Sequence, residues 1–137
     1  MFISDIDKIK AVLIDDTSFT RMTICRMMEQ IGFQDLIEFE DGAIASQNLP
    51  LLTPPPGLIV ADYHMPGLDG LELLRAVRSG QIDNIAHDTP FIMVTGEGKL
   101  ESFISAIQLD VDAFLDKPTT RILLESRIRS LLGEKKR

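Results

Sequence analysis

The stretch LIVADYHMPGLDG, residues 58–70, joins a short apolar run to an aspartate and then to a turn that is rich in glycine and contains proline. The run 58–61 contains β-branched residues and stops at the polar Asp62, which predicts a buried strand. Apolar residues then recur at helical spacing over 71–78, and Gly80 follows as a stop signal, which predicts a helix. A buried strand followed by a helix is the repeating unit of a parallel α/β sheet.

The same unit occurs four more times along the chain. Further strands are predicted at residues 11–14, 34–39, 91–94 and 113–115, and further helices at residues 17–31, 41–48, 100–107 and 124–132. Acidic residues interrupt the run 34–39, which favours an edge position in the sheet. Five alternating units with right-handed crossovers predict an α/β fold with a doubly wound five-stranded parallel sheet of strand order 2-1-3-4-5.

Length and composition fit one domain. The 137 residues are 45% hydrophobic, enough to build a core without metal or disulfide staples. We expect a single domain over residues 1–137, with a core at about 9–132 and a frayed tail at 133–137. The loops at 49–57 and 81–90 lie inside the alternation, so they are not interpreted as domain linkers.

Charge and cysteine content exclude several classes of protein. The formal net charge is -7, which argues against direct nucleic-acid binding. The single cysteine, Cys25, cannot form an internal disulfide, and residues 1–10 do not resemble a signal peptide, so a reducing cytoplasmic location is expected. No apolar run approaches the roughly 20 residues that span a bilayer, so no membrane association is expected.

Polar residues follow the predicted strands at the points where ligands bind in open α/β sheets. Asp15 and Asp16 follow the first strand, Asp62 the third, Thr95 the fourth, and Lys117 lies just after the fifth. Parallel strands bring these carboxyl ends to one rim of the sheet. Each residue alone also has a structural explanation: an aspartate can cap a helix or form a turn, a threonine can end a strand, and a lysine can be solvated. Their joint placement on one rim indicates a site.

The chemistry of these side chains favours a metal and a phosphoryl group. Two unit charges about 4 Å apart repel by roughly 4 kcal/mol at an effective dielectric constant of 20, so three clustered carboxylates favour binding of a cation. Oxygen ligands in a site that retains several waters suit Mg²⁺ better than Ca²⁺. A lysine and a hydroxyl on the same rim could hold phosphoryl oxygens, and an aspartate could act as the nucleophile.

Four motifs in this order resemble the receiver domains of two-component response regulators, which have a flavodoxin/CheY-like (βα)5 fold. They are VLIDD at 12–16, LIVADYHMPGLDG at 58–70, VTGEG at 94–98 and AFLDKP at 113–118. The resemblance extends over about residues 9–132. It implies a regulatory phosphoacceptor domain that takes part in its own Mg²⁺-dependent phosphorylation and autodephosphorylation, without being an enzyme on another substrate.

The resemblance also implies a role for each rim residue. Asp62 corresponds to the aspartate that accepts a phosphoryl group from the phosphohistidine of a histidine kinase. Asp16 and Asp62 would bind Mg²⁺ directly, Asp15 through water, and His64 through its backbone carbonyl. Lys117 would pair with a phosphoryl oxygen.

A switch is implied as well. Thr95 would move its hydroxyl onto the phosphoryl group, and Phe114 would fill the space that this movement vacates. The readout surface would be helix four, strand five and helix five, at about 99–109 and 112–132. Apolar residues of helix four, namely Leu100, Phe103, Ile104 and Ile107, are predicted to face the core, leaving their exposed neighbours to contact a partner.

The expected partners are a sensor histidine kinase or phosphotransfer protein and a downstream protein or output domain. Whether the domain is freestanding or belongs to a longer regulator stays open. Three alternatives remain: a non-phosphorylated pseudo-receiver, a haloacid dehalogenase-type phosphatase and a flavodoxin. The phosphatase would need Asp-x-Asp after the first strand, where Asp15 and Asp16 are adjacent, and the flavodoxin would need a phosphate loop rich in glycine and hydroxyl residues there.

Overall fold

Five parallel strands form one sheet in the computed structural model, which describes residues 3–134. The strands are β1 (Lys10–Ile14), β2 (Asp35–Phe39), β3 (Leu58–Asp62), β4 (Phe91–Thr95) and β5 (Ala113–Asp116). Their order across the sheet is β2-β1-β3-β4-β5, and all four pairings are parallel. The predicted fold and strand order are therefore confirmed.

Five α-helices alternate with the strands and cover both faces of the sheet. They are α1 (Ser18–Ile31), α2 (Gly42–Asn48), α3 (Gly70–Arg78), α4 (Leu100–Gln108) and α5 (Arg121–Glu134). Helices α1 and α5 share one apolar cluster, and buried residues of α2, α3 and α4 share the other. Two short 3-10 turns, Ile3–Lys8 and Leu49–Leu51, were not predicted.

Alternating side chains of the central strands supply both clusters. In β1, Ala11 and Leu13 enter the cluster under α1 and α5, whereas Val12 and Ile14 enter the opposite one. Successive side chains of a strand point to opposite faces, so the interior positions of a central strand that is covered by helices on both sides are apolar. This requirement explains the continuous apolar runs of β1, β3 and β4.

Local sequence signals set the ends of several helices. Asp69 caps α3: its carboxylate accepts from the Glu72 backbone N–H, and the Glu72 carboxylate accepts from the Asp69 N–H. Gly32 ends α1 at a φ of 131°, a conformation that a side chain would disfavour. Helix α5 runs to Glu134, so it includes the first two residues of the tail predicted at 133–137, and residues 135–137 lie outside the described residues.

Arg78, at the end of α3, forms hydrogen bonds with the segments that precede β4 and β5. Its guanidinium donates to the backbone carbonyls of His87, Thr89 and Asp110 at 2.7–3.1 Å and to the Asp112 carboxylate at 3.0 Å. The same Asp112 oxygen accepts from the Phe91 N–H at 2.8 Å. One side chain thus joins the end of α3 to the segments that precede β4 and β5.

The prediction that the apolar residues of α4 face the core is wrong. Leu100, Phe103, Ile104 and Ile107 are 71%, 41%, 45% and 49% exposed. The side of α4 that packs inward carries small residues instead, and only Ala106 is fully buried. Small side chains on the inward side allow the helix to approach the sheet closely. The large apolar residues share the other side of α4, so their helical spacing marks an exposed apolar face.

Among residues 3–134, no helix combines the length and the apolar character needed to cross a membrane.

Candidate functional site

Three aspartates meet at the carboxyl ends of β1 and β3. Asp62 is the last residue of β3, and Asp15 and Asp16 directly follow β1. Asp15 is 1% exposed and Asp62 6% exposed, whereas Asp16 is open to solvent. Each offers a carboxylate oxygen, and these oxygens lie within 4.8 Å of one another. The structure therefore brings together the three acids that the sequence placed on one rim.

Neither Asp15 nor Asp16 caps α1, so the helix-cap alternative for these two residues is wrong. The residue that caps α1 is Thr17, and its side chain makes no capping hydrogen bond. Asp15 instead accepts the Thr17 backbone N–H at 2.9 Å through one carboxylate oxygen, and its backbone carbonyl accepts from the Arg21 guanidinium at 2.7 Å. These bonds fix the loop after β1, with the other Asp15 oxygen directed into the site.

Lys117 reaches this cluster from the end of β5. Its ammonium group donates to Asp15 Oδ2 at 2.9 Å and lies 3.3 Å from Asp62 Oδ2. The Lys117 backbone N–H also donates to the Thr95 carbonyl at 2.7 Å, so the β5 end is joined to the β4 end. The predicted lysine thus lies between two of the three acids.

Burial and neighbouring charges perturb both partners of this contact. Burial raises the pKa of Asp62 to about 6, and the charges of Asp15 and Asp16 add to the rise, while Lys117 opposes it. Burial by itself would lower the pKa of Lys117, but its hydrogen bond to Asp15 and the charges of Asp62 and Asp15 outweigh that effect and raise it. One ammonium group therefore only partly offsets three carboxylates.

A hard divalent cation fits this donor set. The ligand atoms are carboxylate oxygens, two of the acids are nearly inaccessible, and the solvent-facing Asp16 leaves a side open to water. Mg²⁺ prefers oxygen ligands and retains several waters in sites of this kind. A groove of about 330 Å³ lined by Asp16, His64, Met65, Pro66 and Asp69 borders the acids.

Thr95 is fully buried at the end of β4, and its hydroxyl is already engaged. Thr95 Oγ1 accepts the Glu97 backbone N–H at 3.1 Å and donates to the Glu97 carbonyl at 3.3 Å. Both bonds are made to the loop between β4 and α4. The hydroxyl therefore has to give up its bond to the Glu97 carbonyl before it can donate to a group held at Asp62.

The loop after Asp62 packs closely against the start of α3. The Gly70 N–H donates to the Tyr63 carbonyl at 2.9 Å, and a Cβ at Gly70 would collide with the Asp62 carbonyl. A glycine is therefore required where α3 approaches the end of β3. Exchange of Gly70 for a larger residue would move the backbone that carries Asp62.

The remaining predicted site residues, His64 and Phe114, lie around the rim. The His64 side chain is 52% exposed, with Nε2 3.6 Å from a Glu97 carboxylate oxygen. Phe114 is half-buried in β5, and its ring lies beside those of Tyr63 and Phe103.

Glu97 was missed by sequence reasoning, although its position two residues after Thr95 on the same rim was a usable signal. It contacts Thr95 through its backbone and lies beside both His64 and Lys99 through its side chain. Glu97 therefore joins the two loops that border the acids.

Comparison with known proteins agrees with this architecture. A family model described as the response regulator receiver domain matches residues 11–129. The chemotaxis protein CheY of Pseudomonas aeruginosa is 35% identical over 123 residues, which are 89% of this chain and 94% of that protein. Chemotaxis protein CheY1 of Helicobacter pylori is 31% identical over 124 residues, 90% of this chain and 97% of that protein.

Solved structures show the same fold. A response regulator receiver domain protein from Clostridium thermocellum superposes with a TM-score of 0.80 at 25% identity, covering 93% of this chain and 97% of that one. The Vibrio cholerae chemotaxis protein CheY4 has a TM-score of 0.77 at 22% identity and covers 89% of this chain and 97% of that one. The second likeness concerns the fold alone.

Proposed function

Because the chain belongs to the response regulator receiver domain family of two-component signalling, we propose that it is a phosphoacceptor switch in which Asp62 receives a phosphoryl group from a phosphohistidine. The observation that carries the proposal is the position of Asp62: a nearly buried carboxylate at a strand end, 3.3 Å from Lys117 and grouped with two further acids.

The transfer reaction is a direct displacement at phosphorus. A carboxylate oxygen of Asp62 forms the new P–O bond as the P–N bond of the phosphohistidine breaks, and the imidazole nitrogen keeps the electron pair and then takes a proton. Such transfers depend mainly on positioning and on stabilising negative charge on the equatorial oxygens. Lys117, already between Asp15 and Asp62, supplies one positive charge at this place.

Asp15, Asp16 and Asp62 would hold Mg²⁺, together with the backbone carbonyl of His64. The bound ion would supply charge neutralisation for the phosphoryl oxygens. The chain's own residues set the rest of the geometry: Asp15 is fixed by Thr17 and Arg21, and Asp62 is fixed by the contact between β3 and Gly70.

The switch would use the two groups nearest the site on β4 and β5. Once a phosphoryl group is on Asp62, its oxygens offer the Thr95 hydroxyl a charge-assisted hydrogen bond that replaces the bond it now donates to the Glu97 carbonyl. Phe114 would move into the space that Thr95 vacates. The exposed apolar face of α4, with β5 and α5, would then be read by a downstream protein or output domain.

Phosphorylation is tested by incubating the native chain with Mg²⁺ and either a small acyl phosphate or phosphoramidate, followed by intact mass measurement. We expect one added phosphoryl group per chain, and none after a chelator removes the metal. No adduct with either donor would contradict the proposal and favour a pseudo-receiver. Continuous hydrolysis of an added phosphate monoester would favour a phosphatase instead.

Metal binding predicts a thermal shift. Mg²⁺ at about ten times its dissociation constant stabilises the folded chain by about 1.4 kcal/mol through mass action. For a domain of this size that corresponds to a rise in Tm of roughly 4–7 °C. In Asp16→Asn, which changes a solvent-facing ligand, the rise should be much smaller. Equal rises in the two proteins, with sodium chloride matched for ionic strength, would contradict a cation at these acids.

A further inference from the structure

Two aromatic ring contacts connect the loop after Asp62, through Phe114, to the exposed face of α4. The Tyr63 ring lies edge-on to Phe114, with centroids 6.4 Å apart and ring planes at 63°. Phe114 meets Phe103 of α4 in a similar arrangement, at 5.5 Å and 82°. Phe114 therefore contacts two aromatic rings, one from the β3–α3 loop and one from α4.

We propose that Tyr63 and Phe103 are positioning residues that hold the Phe114 ring between them in the resting conformation. In this role Phe103 limits how readily the chain takes up its phosphorylated conformation. The inference rests on the proposed function of Asp62, Thr95 and Phe114, and it assigns a role to two residues outside that set.

The hydrogen bonds of Thr95 identify this arrangement as the resting one. Its hydroxyl bonds to the backbone of Glu97 rather than to any group at Asp62. In the proposed switch, Phe114 moves inward only after the Thr95 hydroxyl has given up its bond to the Glu97 carbonyl. While the ring stays between Tyr63 and Phe103, both edge contacts are kept.

Phe114 depends on its neighbours for orientation because a phenylalanine ring has no polar atom for a hydrogen bond. Edge-to-face contacts between aromatic rings favour one relative orientation beyond what burial alone provides. Phe103 is 41% exposed on α4. Its contact with Phe114 is therefore a contact that can be lost without opening the core.

Removing the Phe103 ring should raise the population of molecules in which Phe114 can move inward. The rate of phosphorylation by a small donor follows that population when the competent conformation is the minor one. We expect Phe103→Ala to increase the initial rate with phosphoramidate and Mg²⁺ by about two- to tenfold, the range that loss of one aromatic contact represents.

Matched variants separate ring contact from general changes on α4. Ile107→Ala removes an apolar side chain of similar exposure from the same face of the helix and should leave the rate at the native value. Phe103→Leu, which keeps an apolar side chain without the ring, should increase the rate as Phe103→Ala does. Phe103→Tyr keeps the ring and should restore the native rate. A native rate in Phe103→Ala, or an equal increase in Ile107→Ala, would overturn the inference.

A second measurement does not depend on phosphorylation. Tyr63 is the only tyrosine and the chain has no tryptophan, so tyrosine fluorescence and the tyrosine band in near-ultraviolet circular dichroism report on Tyr63 alone. Because Phe114 touches both rings, Phe103→Ala should change these signals, and Ile107→Ala should not. Unchanged Tyr63 signals in Phe103→Ala would overturn the proposed positioning even if Asp62 is phosphorylated. Absence of any phosphoryl adduct in the native chain would instead contradict the proposed function. In that case the Tyr63 signals alone would decide the positioning.

Discussion

Asp62→Asn is expected to abolish the phosphoryl adduct completely and to raise the free energy of unfolding at neutral pH without metal. The adduct is lost because an amide oxygen is a poor nucleophile toward phosphorus and carries no charge. The gain in stability follows from the buried, mutually repelling carboxylates, since the substitution keeps the shape of the side chain and removes its charge.

The sign of the pH dependence follows from the pKa of Asp62. Burial raises that pKa from 3.8 to about 6 in the folded chain, with further rises from Asp15 and Asp16. Between these two pH values the folded state binds more protons than the unfolded state, so the free energy of unfolding falls as pH rises. Above the folded-state pKa, the whole contribution of protonated Asp62 to the free energy of unfolding is lost. Two pKa units set an upper limit near 3 kcal/mol, and we expect a difference of about 2 kcal/mol at pH 7.

Urea denaturation of metal-free protein at several pH values measures this effect. The unfolding free energy of the native chain should fall between pH 4 and pH 6, and the fall should be weaker in Asp62→Asn. The exposed Asp83 provides a matched control: Asp83→Asn should keep the adduct and the native stability. Two results would contradict the role assigned to Asp62. One is a phosphoryl adduct in Asp62→Asn equal to that of the native chain. The other is a fall of its unfolding free energy with pH as steep as that of the native chain.

Arg78→Ala is expected to lower the free energy of unfolding by about 2 kcal/mol. The substitution removes every hydrogen bond that this guanidinium makes to the carbonyls of His87, Thr89 and Asp110, and it leaves the Asp112 carboxylate without its charged partner. The Arg78 side chain is 13% exposed and that of Asp112 is 24% exposed, so water can replace part of the lost hydrogen bonding. Hydrogen bonds to a charged group contribute about 1.5–3 kcal/mol, and the partial hydration of the partners places the expected loss within that range.

Arg75 offers a control in the same helix, one turn earlier and exposed to solvent. Arg75→Ala should change the free energy of unfolding by less than about 0.5 kcal/mol. Arg78→Lys should recover only part of the loss, because an ammonium group has fewer donors than the guanidinium fork and cannot reach all four acceptors. A loss in Arg78→Ala no greater than in Arg75→Ala would show that the hydrogen-bonded cluster contributes little.

The strands were predictable because the central ones are covered on both faces. Such strands are apolar along their interior, and the runs in β1, β3 and β4 are short, apolar and ended by polar residues. The alternation with helices then restricts the topology strongly. The observed strands extend the predicted ones by one residue at most at either end, except that β2 begins one residue later.

Helix α4 shows where periodicity misleads. Its large apolar residues recur at helical spacing, yet they are exposed, and Ala106 packs inward. Periodicity shows that residues share a face, but it does not show which face the rest of the protein covers. The small side chains between them were the better signal of the inward side.

Strand order and direction are enough to place residues at strand ends, so the fold and the position of Asp15, Asp16, Asp62, Thr95 and Lys117 on one rim could be predicted from the amino-acid sequence. Three contacts could not be predicted in this way: Lys117 lies within 3.3 Å of both Asp15 and Asp62, Thr95 bonds to Glu97, and Phe114 contacts the rings of Tyr63 and Phe103. These contacts join residues from different loops and helices. Their distances depend on how those elements pack in three dimensions, and local sequence patterns carry no record of that packing.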